Sequence, residues 1–172
     1  MIDKIGMSIL TMFGIGYFRY LPGTAASFIT CIIYYILWIA EFSLHNNKIY
    51  LVCFLIIILI YSITIIDKLS HFFKKKDPKE IVVDEFVGQC IPLVAYLFIP
   101  EEFANLENQT NIAVIIYILL SFILFRFFDI SKPFPINIVD KKMKNGFGVM
   151  LDDIIAGIYS TIVIYVIYAL WF

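Results

Sequence analysis

Apolar residues in this chain fall into long runs separated by short polar stretches. The runs cover residues 27–40, 49–66, 81–99, 112–128 and 149–172. The run over 49–66 carries no charged residue and is long enough, as a helix, to cross a hydrocarbon core of about 30 Å. Residues 1–18 are only mildly apolar and are broken by Gly6, Gly14 and Gly16. They predict a short, partly interfacial helix and then a glycine-rich turn. Pro22-Gly23 marks a further turn before the first long run. The pattern predicts an all-α, polytopic membrane helical bundle with about five membrane-associated spans plus a short N-terminal helix. Residues 1–172 form a single domain on this reading, without internal repeats.

Composition supports the membrane assignment. Of the 172 residues, 62% are hydrophobic and only 16% charged, where a soluble domain carries about a quarter charged. Cys31, Cys53 and Cys90 each lie inside an apolar run without CxxC spacing, which reads as packed thiols rather than metal ligands. His45 and His71 sit on connections with no second ligand at zinc spacing. The first residues lack the plan of a cleavable signal peptide, so insertion is expected to depend on the first membrane helix.

Net charge is -1, so the distribution of charge is more informative than its sum. Short loops rich in Lys and Arg stay on the cytoplasmic side of a membrane. With the amino terminus inside, Lys4, Arg19, Lys68, Lys74, Lys75, Lys76, Lys79, Arg126, Lys132, Lys141, Lys142 and Lys144 all fall inside. Only Lys48 is left outside, with the acidic 101–111 connection that holds Glu101, Glu102 and Glu107. Five spans alternate without conflict. The same assignment puts Arg19 to Thr24, Asp84 with Glu85, Arg126 to Lys132, Asp140, and Asp152 with Asp153 at the cytoplasmic ends of helices. Polar groups buried in membrane spans mark functional sites by default, and here they converge on one face.

Each of these groups also has a purely structural reading. Asp84 with Glu85, and Asp152 with Asp153, are candidates for helix capping at the starts of their runs. Adjacent carboxylates nevertheless point about 100° apart on a helix, so one of each pair is left to face inward. Arg126 and Asp129, three apart, fit a simple ion pair on one helix face. Lys132-Pro133-Phe134-Pro135 fits an exit turn whose lysine snorkels to the headgroups. Taken together, carboxylates without Cys or His suit a hard cation held by oxygen, magnesium above all, with positions left for water and phosphate. Arg126, Lys132 and Arg19 would balance phosphate charge. Gly146-Phe147-Gly148 ahead of a helix could offer backbone N–H groups to phosphate.

At these residues the chain resembles the bacterial phosphatidylglycerophosphatase A family. Four blocks carry the resemblance, in the same order and over most of the chain. They are Gly14-x-Gly16 with Pro22-Gly23-Thr24; Val83-Asp84-Glu85-Phe86-Val87-Gly88; the stretch from Phe125-Arg126 through Asp129 and Lys132-Pro133 to Ile136; and Gly146-Phe147-Gly148 through Asp152-Asp153 to Gly157. The first block departs at Arg19, where the family often has proline, and at Ala26, where it has glycine. The resemblance implies a magnesium-dependent hydrolase of the bacterial inner membrane. It would remove the terminal phosphate of phosphatidylglycerol phosphate, leaving phosphatidylglycerol and inorganic phosphate.

On that footing Asp84, Glu85, Asp129, Asp152 and Asp153 are expected to supply Mg2+ ligands and a carboxylate base. Arg126 and Lys132 are expected to bind phosphate, with Thr24, Arg19 and Asp140 as weaker candidates. The expected partners are the membrane and an anionic phospholipid substrate, met at the cytoplasmic interface, with no nucleic acid. No Cys-x5-Arg phosphatase loop exists, because Tyr96 stands where the arginine would follow Cys90. No histidine lies near a motif, so direct attack by water is favoured, with an aspartyl phosphate intermediate as the alternative. The rival from another class is a small cation-conducting or transporter-like membrane protein with a cytoplasmic acidic site.

Overall fold

The computed structural model describes residues 2–40, 47–69, 78–99 and 111–171. His45, His71, Lys74, Lys75, Lys76 and the acidic connection with Glu101, Glu102 and Glu107 lie outside the described residues. Among those described, the chain forms only helices and their connections. In order these are α1 (Ile2–Leu10), a 3-10 turn (Ile15–Tyr17), α2 (Pro22–Ile39), α3 (Lys48–Leu69), α4 (Val83–Ala95), a second 3-10 turn (Tyr96–Phe98), α5 (Asn111–Ser131), α6 (Ile136–Lys142) and α7 (Gly146–Trp171).

Four helices, α2, α3, α5 and α7, are long and apolar enough to cross a membrane. Their large side chains largely face outward, as Ile57, Ile116 and Ile162 do. Lipid is as apolar as leucine, so it gives no reason to hide them. The apolar segment expected over 81–99 becomes the short helix α4, whose 13 residues reach only about 20 Å, followed by the second 3-10 turn. It packs against α7, α2, α3 and α5. The first turn of this short helix, packed among the four longer ones, carries Asp84 and Glu85.

Small residues set the distance between α4 and α7. A Cβ on Gly157 would overlap the carbonyl of Gly88, and one on Gly88 would meet the Asp153 carbonyl at 2.7 Å and the Phe125 ring. Pro92 lies inside α4, and having no N–H it cannot bond the Gly88 carbonyl four residues earlier. That carbonyl therefore stands against Gly157, at a distance only glycine permits. The Pro92 carbonyl in turn accepts a 2.6 Å hydrogen bond from the Tyr117 hydroxyl of α5.

The far half of the bundle is closed by Tyr34, Leu93, Tyr96, Leu97, Tyr117 and Ile164, with the Tyr96 and Tyr117 rings 4.4 Å apart. The near half is filled by Leu10, Ile65, Ile66, Val83, Val87 and Met150. Chain direction then puts the starts of α2, α4 and α7 and the ends of α3 and α5 at one end of the molecule. Replacing Gly157 by valine is expected to force α7 off α4 and cost about 1–3 kcal/mol, as overpacking does. Thermal unfolding in detergent checks this: a fall in midpoint is expected, and a midpoint at or above that of the parent contradicts the packing.

Candidate active site

At the end where these helices meet lies a cavity of about 280 Å³. Six carboxylates line it, from Asp84, Glu85, Asp129, Asp140, Asp152 and Asp153, with four cations from Lys79, Arg126, Lys132 and Lys144. The excess of negative charge, in a wall made by helix ends, is the first chemical fact about it.

The carboxylates divide into two groups. Asp84, Glu85 and Asp153 each offer an oxygen, and the three oxygens lie within 4.8 Å of one another. Gly23 makes this possible, since a Cβ there would overlap Glu85 Oε1. The start of α2, Pro22-Gly23-Thr24, is thus laid directly against the acidic turn of α4, and Thr24 lines the cavity. Glu85 Oε2 is buried with no hydrogen-bond partner among the described residues. An unsatisfied buried oxygen beside two further carboxylates is an unfavourable arrangement unless a cation completes it. The donor set is oxygen only, so it fits a hard divalent ion.

Asp129 and Asp152 are instead held by the cations. Arg126 Nη1 lies 2.9 Å from Asp129 Oδ2 and donates at 3.4 Å to Ser27 Oγ. The ion pair expected from the spacing is present, but on the cavity wall rather than at a solvated helix end. Lys132 does not snorkel outward. Its Nζ lies 3.0 Å from Asp152 Oδ2 and 2.8 Å from Asp140 Oδ1. Its backbone is left-handed, with φ 42°, which a non-glycine residue adopts only when its surroundings hold it there. Burial pulls the Lys132 ammonium down, but Asp140 and Asp152 outweigh it and hold the group above its ordinary pKa. Burial likewise pushes Asp140 up, and the Lys132 ammonium, with Lys144 behind it, holds its carboxyl below the usual range. Both stay charged through neutral pH.

Two expectations change. Asp152 and Asp153 do not cap α7: they sit in its second turn, and the cap is Asn145, whose Oδ1 accepts from Gly148 N at 3.0 Å. Gly146 N donates to Asp67 Oδ1 at 2.5 Å. The two N–H groups read as phosphate donors therefore already have acceptors. The glycines serve close packing instead, against the Ile63 carbonyl for Gly146 and the Met143 carbonyl for Gly148. Asp84 and Glu85 lie in the first turn of α4, whose N-cap is Val82, and Asp84 Oδ1 accepts from the Glu85 N–H at 3.1 Å.

Of the side chains expected to bind metal or phosphate, only Arg19 stays away from the cavity lining. It is exposed, with its guanidinium over the Tyr20 ring. Lys79 and Lys144, read in the sequence only as basic loop residues, line the cavity as well, and Ser27, Asn145 and Asp67 escaped the sequence reading. Asn145 directly before a helical glycine was a readable cap signal, and Lys144 stands four residues after Asp140. Asp67 gave no local signal, because its partner is 79 residues away. Asp67→Ala is expected to loosen the start of α7 and cost roughly 0.5–2 kcal/mol, the range for losing a helix cap. The detergent unfolding midpoint checks it, and an unchanged midpoint contradicts the contact.

The profile of the Phosphatidylglycerophosphatase A family matches residues 8–168. The phosphatidylglycerophosphatase A of Haemophilus influenzae is 42% identical over 159 residues, covering 90% of this chain and 83% of the relative. A putative phosphatidylinositol-3-phosphatase of Bacteroides thetaiotaomicron is 35% identical over 157 residues, covering 90% and 87%. The phosphatidylglycerophosphatase A of Escherichia coli is 29% identical over 163 residues, covering 92% and 81%. No solved structure matches the chain. An all-helical membrane bundle with an acidic cavity at one end, matched along nearly its whole length, belongs to the phosphatidylglycerophosphatase A family, a family of phosphatases.

Proposed function

We propose that the chain hydrolyses the terminal phosphate monoester of phosphatidylglycerol phosphate, with Mg2+ as cofactor, at the cytoplasmic face of the bacterial inner membrane. The observation that carries this is the three-carboxylate oxygen cluster of Asp84, Glu85 and Asp153 within one cavity beside Arg126 and Lys132. Family membership supports the substrate, two relatives bearing the name of this activity. The third name, for an inositol lipid, also describes phosphate removal from a lipid head group. Positive charge supports the side. Lys79, Lys132, Lys141, Lys142 and Lys144 belong to the connections at the cavity end, and such loops stay in the cytoplasm.

The roles follow from the pairings. Asp84, Glu85 and Asp153 hold the ion. Bound there, it supplies Lewis acidity for the phosphoryl oxygens and the attacking water. Arg126 and Lys132, each already oriented by a carboxylate, bind the monoester oxygens through charge-assisted hydrogen bonds. Water attacks phosphorus, the bond from phosphorus to the glycerol oxygen breaks, and a carboxylate takes the water proton while the glycerol oxygen gains one. Asp129 and Asp152, beside these cations, are placed for the proton transfers. Cys90 borders an apolar pocket on α4, outside the cavity, which agrees with a reaction that needs no thiol.

The ion-conducting alternative has less support. A path would need polar depth, but beyond the carboxylates the bundle is filled by Leu93, Leu97 and Val114. Gln89 is the buried amide among them, donating at 3.3 Å to Ser121. The enzymatic reading is tested with purified parent, Asp84→Asn and Asp153→Asn proteins. Phosphate release from phosphatidylglycerol phosphate is expected to require Mg2+ in the parent and to fall on the order of a hundredfold or more in each variant, at least the loss seen for residues that only support a metal ligand. Parental turnover in both folded variants would remove the assignment.

A further inference from the structure

The cavity has a floor and a mouth. Asp153 is buried, and Asp84 and Glu85 are half-buried, whereas Lys79 and Lys144 are exposed although they line the same space. The floor cations are committed, Arg126 to Asp129 and Lys132 to Asp152. The mouth lysines come from separate connections, Lys79 ahead of α4 and Lys144 between α6 and α7. Lys144 Nζ lies 3.7 Å from Asp140 Oδ1, the same oxygen that Lys132 touches at 2.8 Å. One carboxylate oxygen therefore spaces a floor ammonium from a mouth ammonium, and the two nitrogens stand no farther apart than those two lengths together. That separation is of the order a glycerol bridge sets between two phosphates.

Lys79 and Lys144 line the same cavity as the floor cations, so a head group whose outer phosphate reaches the floor has these two ammonium groups within the space left for the rest of its polar length. What stands at that point along phosphatidylglycerol phosphate is its internal phosphodiester, with one negative charge. We propose that Lys79 and Lys144 bind this phosphodiester, so that the enzyme selects phosphate monoesters carrying a second phosphate one polyol away. This rests on the phosphatase reading above and adds a specificity determinant to it. Lysine suits the role, because an ammonium offers three donors and meets phosphate as a point charge without the fixed fork of arginine. Asp140 engages Lys144 from one side and holds it over the mouth. A simple monoester such as glycerol 3-phosphate fills the floor alone and gains nothing from the mouth.

The test uses soluble ligands, which removes general attraction of anionic lipid to basic loops. Inhibition of phosphate release from phosphatidylglycerol phosphate is measured for the deacylated head group, which holds both phosphates, and for glycerol 3-phosphate. The parent is expected to bind the deacylated head group about tenfold more tightly, the scale of two exposed ion pairs. Lys79→Gln/Lys144→Gln is expected to abolish most of that preference and leave the glycerol 3-phosphate constant within about twofold. Lys141→Gln/Lys142→Gln, outside the cavity, should retain the preference. Equal affinities in the parent, or a preference that survives the Lys79/Lys144 double substitution, overturns the proposal. A parent that releases no phosphate from the lipid instead overturns the phosphatase reading itself.

Discussion

Carboxylates taken out of water at the end of an apolar bundle govern this structure. Asp84, Glu85 and Asp153 bring three acidic groups within 4.8 Å of one another, where like charges repel and solvent is scarce. Such a cluster forms only where the scaffold forces it, and its charge must be met by a cation or by protonation. Most of the unusual local features serve one of those two ends. Arg126 and Lys132 neutralise the neighbouring Asp129 and Asp152, which leaves Asp84, Glu85 and Asp153 as the group that the proposed ion would occupy.

The forcing comes from backbones that approach closely. Gly23 lets the start of α2 rest on Glu85, and Gly88 lets α4 meet Phe125 and the Asp153 carbonyl. Gly157 accepts the carbonyl that Pro92 leaves open. In lipid, where burial of apolar surface gives helices little reason to associate, small residues and satisfied polar groups supply the cohesion. The same contacts that hold α4 in the centre therefore fix the geometry of the acid cluster. Asp67 and Asn145 add a second restraint by capping the start of α7, about one and a half turns before Asp152 and Asp153.

Much of this was legible in the sequence. Long apolar runs mark the helices, and the lysine and arginine bias puts Asp84, Asp129 and Asp152 at one end. The length of α4 was not legible, because an apolar run over 81–99 looks the same whether it spans or sits short in the centre. The roles of Gly146 and Gly148 were misread for a related reason: a glycine spacing cannot say whether its N–H groups are free, and here Asp67 and Asn145 occupy them. Lys132 looked like a snorkelling exit residue because only the fold brings Asp140 and Asp152 to it. Long-range partners of this kind leave no local pattern.

The central claim is that an oxygen-only divalent site exists where those three carboxylates meet. Manganese occupies such sites and reports on them by its paramagnetism, so titration of the detergent-purified protein with Mn2+, followed by electron paramagnetic resonance, addresses it without reference to turnover. The account predicts saturable binding in the parent that Mg2+ displaces and that Asp153→Asn abolishes. Binding that is absent in the parent, or unchanged by the substitution, would contradict it.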